Sequence, residues 1–151
     1  VKVFFDTNVL ASAFATRGFC AEVFDLALER HEVVVGEPVL TELERVLAER
    51  FGVDAGRVDR VLRFLRRFPV APAPRPDGTA VSPDLSDPDD VPVLASALTA
   101  GADVLVTGDR ALLEEATGLQ ALSPREYWTL LRAEETGQAD QIHEPVAPYG
   151  R

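Results

Sequence analysis

The sequence predicts an α/β domain, a parallel β-sheet flanked by α-helices on both faces. Three observations predict it. Short apolar runs alternate with segments whose apolar residues recur at helical spacing. The runs are almost continuously apolar, as in strands buried on both sides. The 151 residues, 46% hydrophobic and 26% charged, suit one globular domain around one core.

The elements follow in order. Val1–Phe5 is a short run ending at Asp6 and reads as a buried strand. Phe19–Leu28 reads as a helix with Phe19, Val23, Leu26 and Ala27 on one face. Glu32–Val35 is a second strand, closed by Gly36. Pro38–Phe51 is a helix with proline in its first turn and an apolar stripe of Val39, Leu40, Leu43, Val46 and Leu47. Ala55–Phe68 is another, with Val58, Val61, Leu62 and Leu65 inward and Arg60, Arg63, Arg66 and Arg67 mostly outward. Pro72–Pro83, rich in proline and carrying Asp77-Gly78, reads as a surface loop. Pro88–Ala100 is a helix, Val104–Thr107 a strand, Arg110–Thr117 a short helix and Leu119–Leu122 a last strand. Pro124–Arg132 is a helix capped by Ser123. The pattern stops near Glu134, so the expected organisation is a domain over residues 1–132 and a mobile tail over 133–151.

The net charge is −10. A general nucleic-acid coat carries a basic face, so this balance counts against one. It does not count against an acidic site neutralised by a cation. Cys20 is the sole cysteine, which excludes an intrachain disulfide and points to a reducing compartment. No charged-then-apolar leader opens the chain, and no run of about 18 apolar residues could span a bilayer. The expectation is a soluble cytoplasmic protein with no membrane partner.

In parallel sheets ligands bind beyond the carboxyl ends of the strands. The first strand ends in Asp6-Thr7-Asn8 and Val104–Thr107 ends in Thr107-Gly108-Asp109, so two strands deliver a carboxylate to one edge. Asp90 opens the helix leading into the second of them, and Glu42 lies about one turn into the helix after strand two. Four carboxylates that close repel: two unit charges ~4 Å apart cost roughly 4 kcal/mol at an effective dielectric of ~20. Such a cluster takes up protons or binds a cation, and oxygen ligands without His or Cys favour Mg²⁺ or Mn²⁺.

Each residue also has a structural reading. Asp6 could simply end a strand. Asp87-Pro88-Asp89-Asp90 is a good helix start by itself, although Asp90 shares a helical stripe with Leu94 and Ala97 and so leans inward. Glu37, Glu42 and Glu44 compete, and periodicity does not choose between Glu42 and Glu44. Asp109 reads equally as the cap of the helix after it. Other chemistries lack their residues: the only histidines, His31 and His143, are poorly placed for a His pair, no phosphate-cradling glycine motif occurs, and no Cys/His cluster could hold zinc.

Four blocks together carry a family resemblance: V-F-F-D-T-N-V-L-A-S (Val3–Ser12), L-T-E-L-E-R-V-L (Leu40–Leu47), D-P-D-D-V-P-V-L-A-S-A-L (Asp87–Leu98) and A-D-V-L-V-T-G-D-R-A-L-L (Ala102–Leu113). In order and spacing the chain resembles the PIN domain nucleases over about Val1–Leu131. It looks closest to the VapC-like branch, the toxin components of toxin–antitoxin pairs. The resemblance implies a Rossmann-like PIN fold. It implies metal-dependent endoribonuclease activity with one or two Mg²⁺ or Mn²⁺ ions, leaving 5′-phosphate and 3′-hydroxyl ends. Carried over, Asp6, Glu42, Asp90 and Asp109 match the acidic, metal-holding quartet, and the E-L-x-x-V-L pattern selects Glu42 over Glu44. Asn8 would orient Asp6 or a metal-bound water, and Thr107 would hydrogen-bond near the metal or the scissile phosphate. The implied partners are an RNA substrate, an antitoxin protein and a second copy in a homodimer. Where many relatives are acidic at position 111 this chain has Ala111. Its acidity is unusual for an RNA-cutting enzyme and bears on substrate affinity. Arg17, Arg110 and the outer arginines of Ala55–Phe68 are candidates for phosphate contacts. Two alternatives differ in class. An inactive PIN-like binding module would keep the fold without cleavage. A metal-dependent phosphatase usually wants a catalytic lysine, and Lys2, inside strand one, is the only lysine.

Overall fold

In a computed structural model, which describes residues 1–73 and 85–136, the strands form one five-stranded, all-parallel sheet. The strands are β1 (Lys2–Phe5), β2 (Glu32–Gly36), β3 (Val70–Ala71), β4 (Val104–Val106) and β5 (Gln120–Leu122), in the spatial order β3-β2-β1-β4-β5. Their registers pair Val3 with Val33 on one side and with Val104 on the other. The central strand is therefore apolar for a physical reason: Val3, Phe4 and Phe5 face helices above and below and are at most 1% exposed.

The helices are α1 (Thr7–Ala15), α2 (Phe19–Arg30), α3 (Glu37–Glu49), α4 (Ala55–Leu65), α5 (Val91–Thr99), α6 (Arg110–Glu115) and α7 (Pro124–Glu135). From β1 the chain steps outward through β2 to β3, then returns across the sheet to place β4 on the other side of β1. Parallel crossovers are right-handed, so this reversal puts the early helices and α5 on opposite faces. It also makes the gap between the carboxyl ends of β1 and β4 the switch point, where such sheets bind ligands.

The local chemistry of the elements is legible. The stripe of Val39, Leu40, Leu43, Val46 and Leu47 predicted for α3 is entirely buried. Fully burying each such side chain stabilises the fold by about 1.5–3 kcal/mol. Asp54 caps α4 by accepting from the Arg57 N–H at 3.0 Å. Ser123 and Glu126 form a reciprocal capping box at the start of α7.

Several boundaries differ from expectation. A helix, α1, begins directly after Asp6 where none was expected, and the two-residue strand β3 was not expected either. The segment Pro88–Ala100 is not one helix: Pro88–Asp90 is a 3₁₀ turn capped by Asp87, and α5 starts at Val91. Pro92 explains this, because it has no N–H to give the Pro88 carbonyl, and the Val91 N–H supplies that bond one residue earlier. Helix α7 runs to Glu135, three residues past the expected end, so the start of the expected tail is helical. The rest of that tail, residues 137–151, and most of the expected Pro72–Pro83 loop lie outside the described residues.

Candidate active site at the switch point

Asp6 leaves the end of β1 and is the cap of α1. Its Oδ1 accepts from the Thr7 N–H at 2.8 Å, and its Oδ2 accepts from the Thr107 hydroxyl at 2.7 Å. The residue is 9% exposed and Thr107 is fully buried. The same Thr107 Oγ1 accepts from the Asp109 N–H at 3.0 Å. One hydroxyl at the end of β4 therefore links the Asp6 carboxylate to the backbone N–H of Asp109 across the switch point. Asp109 does cap α6, accepting from the Leu112 N–H at 3.2 Å, so its structural reading holds alongside any other role.

The remaining two carboxylates come from helical segments, Asp90 just before α5 and Glu42 in the second turn of α3. Asp90 ends the 3₁₀ turn before α5 and is half-buried, whereas Asp89 beside it is exposed. Glu42 lies on the exposed face of α3, where Arg45 pairs with it at 3.3 Å. Glu44 lines a different crevice, between α3 and α4, with Ala48, Val58 and Asp59. The geometry thus separates two glutamates that periodicity left level. A cleft of about 730 Å³ beside the site is lined by Thr41, Glu42, Arg45, Asp89 and Pro92, and touches the quartet only through Glu42.

The charges interact. Burial raises the Asp6 carboxyl above the usual carboxylate range; the bonds from Thr107 and Thr7 oppose this, and the charges of Asp109 and Glu42 add to it. Burial pushes Asp90 up to about 6, assisted by repulsion from Asp109, Asp87, Asp6 and Asp89. Asp6 thus lies within electrostatic reach of Glu42, Asp90 and Asp109, and Asp90 within reach of Asp109. The set fits a hard divalent cation in donor type and in its surplus of negative charge. Thr7 Oγ1, in the residue next to Asp6, is buried without a partner among the described residues. Among those residues no three His, Cys, Asp or Glu side chains already form a metal-holding group, so the carboxylates are gathered but not converged into a cage.

Asn8 has its described contact with Arg50. It is exposed, and its Oδ1 accepts from Arg50 at 3.1 Å; it is not among the partners that orient Asp6. Arg45 and Arg50, the cations bonded to Glu42 and Asn8, were missed in the sequence. The i to i+3 spacing from Glu42 to Arg45 was a usable signal, while the reach of Arg50 to another helix was not. Of the expected phosphate-binding arginines, Arg63 and Arg66 pair with Asp59 and Glu37.

The sequence profile of the PIN domain matches residues 2–111, and the chain belongs to the PIN domain family. Similar solved structures include VapBC2 of Rickettsia felis bound to a DNA fragment from their promoter, with a TM-score of 0.59 and 14% identity over 82% of this chain and 98% of that one. VapBC-1 of nontypeable Haemophilus influenzae has a TM-score of 0.55 and 19% identity, covering 83% of this chain and 99% of that one. PAE2754 of Pyrobaculum aerophilum has a TM-score of 0.52 and 24% identity, covering 87% and 88%. At these identities the likeness is one of fold. No curated protein matches the sequence. No helix among the described residues is long and apolar enough to cross a membrane.

Proposed function

We propose that the protein is a metal-dependent endoribonuclease and the cytoplasmic toxin of a toxin–antitoxin pair. The observation that carries the nuclease reading is the Asp6–Thr107–Asp109 linkage at the switch point, with Asp90 and Glu42 in electrostatic reach. Membership of the PIN domain family supports it. The toxin reading is supported by the similarity in fold to VapBC toxin–antitoxin complexes.

Asp6, Asp90, Asp109 and Glu42 are the residues that would hold one or two Mg²⁺ or Mn²⁺ ions. Bound there, such an ion supplies the charge that activates water and stabilises the oxygens of an in-line displacement. The protein's own part is positional. Thr107 and the Thr7 N–H hold both oxygens of Asp6, so its carboxylate is presented in one orientation. Glu42, on an exposed helix face with Arg45 as its partner, accepts the proton of the attacking water. The new oxygen–phosphorus bond forms as the bond to the 3′-oxygen breaks, and that oxygen takes a proton from solvent, leaving a 5′-phosphate and a 3′-hydroxyl.

The test is cleavage of a labelled single-stranded RNA panel with Mn²⁺, Mg²⁺ or EDTA, using wild type beside Asp6→Asn. Metal-dependent cutting that the variant loses is the expected result; equal cutting by both proteins would sink the assignment. The antitoxin is tested by pull-down with the product of the neighbouring gene, whose failure to bind or inhibit removes the toxin label and leaves the nuclease. A homodimer, with α4 as a candidate contact, is checked by light scattering. A second reading, a PIN-like binding module without catalysis, is favoured by the absence of a converged three-carboxylate group among the described residues. Calorimetric titration with Mn²⁺ separates the two: binding by wild type and none by Asp6→Asn supports the nuclease.

A further inference from the structure

The acidity of the chain poses a physical problem for any anionic substrate. With a net charge of −10, the protein repels a nucleic-acid strand at long range, so affinity must come from cations close to the site. Most arginines with a described partner are neutralised. Arg30 and Arg132 pair with Glu135, Arg45 with Glu42 and Glu49, Arg63 with Asp59, and Arg66 with Glu37. Arg50 is different. Its described partner is a neutral amide oxygen, Asn8 Oδ1 at 3.1 Å, and no carboxylate among the described residues lies within 4.0 Å of it.

Its location adds to this. Arg50 follows the last residue of α3, the helix that carries Glu42, and its side chain crosses to the first turn of α1, two residues beyond Asp6. An arginine placed only to complement the helix dipole would lie over the last carbonyls of α3. This one is anchored across the helix pair by one of its five N–H donors, which leaves the planar fork available for a phosphate. The next residue, Phe51, is one of three large hydrophobic side chains exposed among the described residues, at 38%. A charged fork beside an exposed ring is the combination that holds a single strand: phosphate on one, a base stacked on the other.

We propose that Arg50, anchored by Asn8, binds a backbone phosphate of the single-stranded RNA substrate next to the scissile bond, and that Phe51 stacks on a neighbouring base. The inference rests on the nuclease reading and names how that site takes its substrate. It also gives Asn8 a part: a positioning residue that acts through Arg50 rather than through Asp6.

The experiment measures binding of a fluorescent single-stranded RNA to the full chain carrying Asp6→Asn, with Mg²⁺, over a series of salt concentrations. Arg50→Ala weakens binding by about tenfold and reduces the slope of log affinity against log salt by about 0.7, the share of one phosphate contact to a single strand. Arg50→Lys keeps the slope. Phe51→Ala weakens binding by about tenfold at an unchanged slope, because stacking releases no counterion. Asn8→Ala weakens binding in the wild-type Arg50 background and has no effect on top of Arg50→Ala. Arg132→Ala, on α7 and paired with Glu135, changes neither quantity. An Arg50→Ala protein with parental affinity and slope overturns the phosphate contact, and a Phe51→Ala protein with parental affinity overturns the base contact. A parent that binds no RNA at any salt also overturns the phosphate contact, whereas the nuclease reading fails separately, if wild type shows no metal-dependent cleavage.

Discussion

The Thr107 hydroxyl donates to Asp6 Oδ2 at 2.7 Å and accepts from the Asp109 N–H at 3.0 Å, so β1 and β4 are tied at their carboxyl ends by one buried oxygen. Thr107→Val keeps the shape and removes both bonds. The buried Asp6 carboxylate then loses a donor that lowers its pKa, and leaving such a group unpaired costs about 1–3 kcal/mol. The expected outcome is cleavage slowed by about ten- to a hundredfold, with the acidic limb of the pH–rate profile moved to higher pH. Thr107→Ser keeps the hydroxyl and is expected to keep the profile. A Thr107→Val enzyme with a wild-type profile would show that the hydroxyl does not hold Asp6 in its working state.

Asp90 carries a pH prediction with a definite sign. Its folded pKa, about 6, lies above the ordinary value of 3.8. Between those values the folded state binds more protons than the unfolded one, so this group's contribution to stability falls as pH rises from 4 to 6, and the penalty is complete above that window. Asp6, raised as well, acts in the same direction. Glu37 and Glu115 are lowered, the first by its bonds to Arg66 and the second by its bonds to Ser86, and they act in the opposite direction. The clean measurement is therefore a difference. In EDTA, Asp90→Asn should raise the thermal midpoint relative to wild type at pH 7 and have little effect at pH 4. Equal differences at the two pH values would contradict the raised pKa that burial and repulsion give Asp90.

The strand-end residues were legible because their signal is local: an apolar run that stops at an aspartate places that aspartate on the sheet edge whatever the rest of the fold does. Both Asp6 and Asp109 were read this way, and the structure puts both at the switch point. The choice between Glu42 and Glu44 was not legible from periodicity, since both flank the stripe of α3; it depends on α4 packing beside Glu44. Helix α1 was missed because its cap is Asp6 itself, a residue read for its chemistry rather than as a helix start. Strand β3 is two residues long and has no period to detect. The contact of Asn8 with Arg50 joins residues 42 apart, and no local pattern reports a contact of that kind.

Gly36 makes a packing prediction. It is the last residue of β2 and opens α3, and its φ of −132° suits any residue. Space is what requires glycine: an added Cβ would sit 2.8 Å from both Cβ and Oγ of Ser96 and 3.1 Å from the Phe4 ring. Ser96 belongs to α5 and is buried, so neither side can yield cheaply. Gly36→Ala should cost about 1–3 kcal/mol in denaturant unfolding. Because α3 begins here, it should also disturb the position of Glu42 and lower cleavage beyond the loss of folded protein. Ser96→Ala removes a hydroxyl with no partner among the described residues and should be neutral or stabilising. A Gly36→Ala protein as stable as wild type would mean that β2 and α5 are less closely packed than described.

The end of the folded unit can be argued from His31, which joins α2 to α7. Its Nδ1 lies 2.8 Å from the Tyr127 hydroxyl and its Nε2 lies 2.9 Å from Glu134 Oε1. Tyr127 is fully buried, and burial together with the Glu134 charge pushes its phenol up, so it stays protonated. For a neutral imidazole the consistent assignment is Tyr127 O–H donating to Nδ1 and Nε2–H donating to Glu134. Tyr127→Phe leaves the inward nitrogen without its donor and should cost about 1–3 kcal/mol. A chain cut after Arg132, the expected domain boundary, removes the Glu134 partner and the last turn of α7. A chain cut after Thr136 keeps both. We expect the shorter chain to unfold at lower denaturant concentration than the full chain, and the longer one to retain the His31 contacts. The exposed pairs of Glu135 with Arg30 and Arg132 add little to that difference, since each spans 3.5 Å in solvent. If the chain ending at Arg132 unfolds with the full chain, the His31–Glu134 contact contributes nothing measurable and the boundary belongs at residue 132 after all.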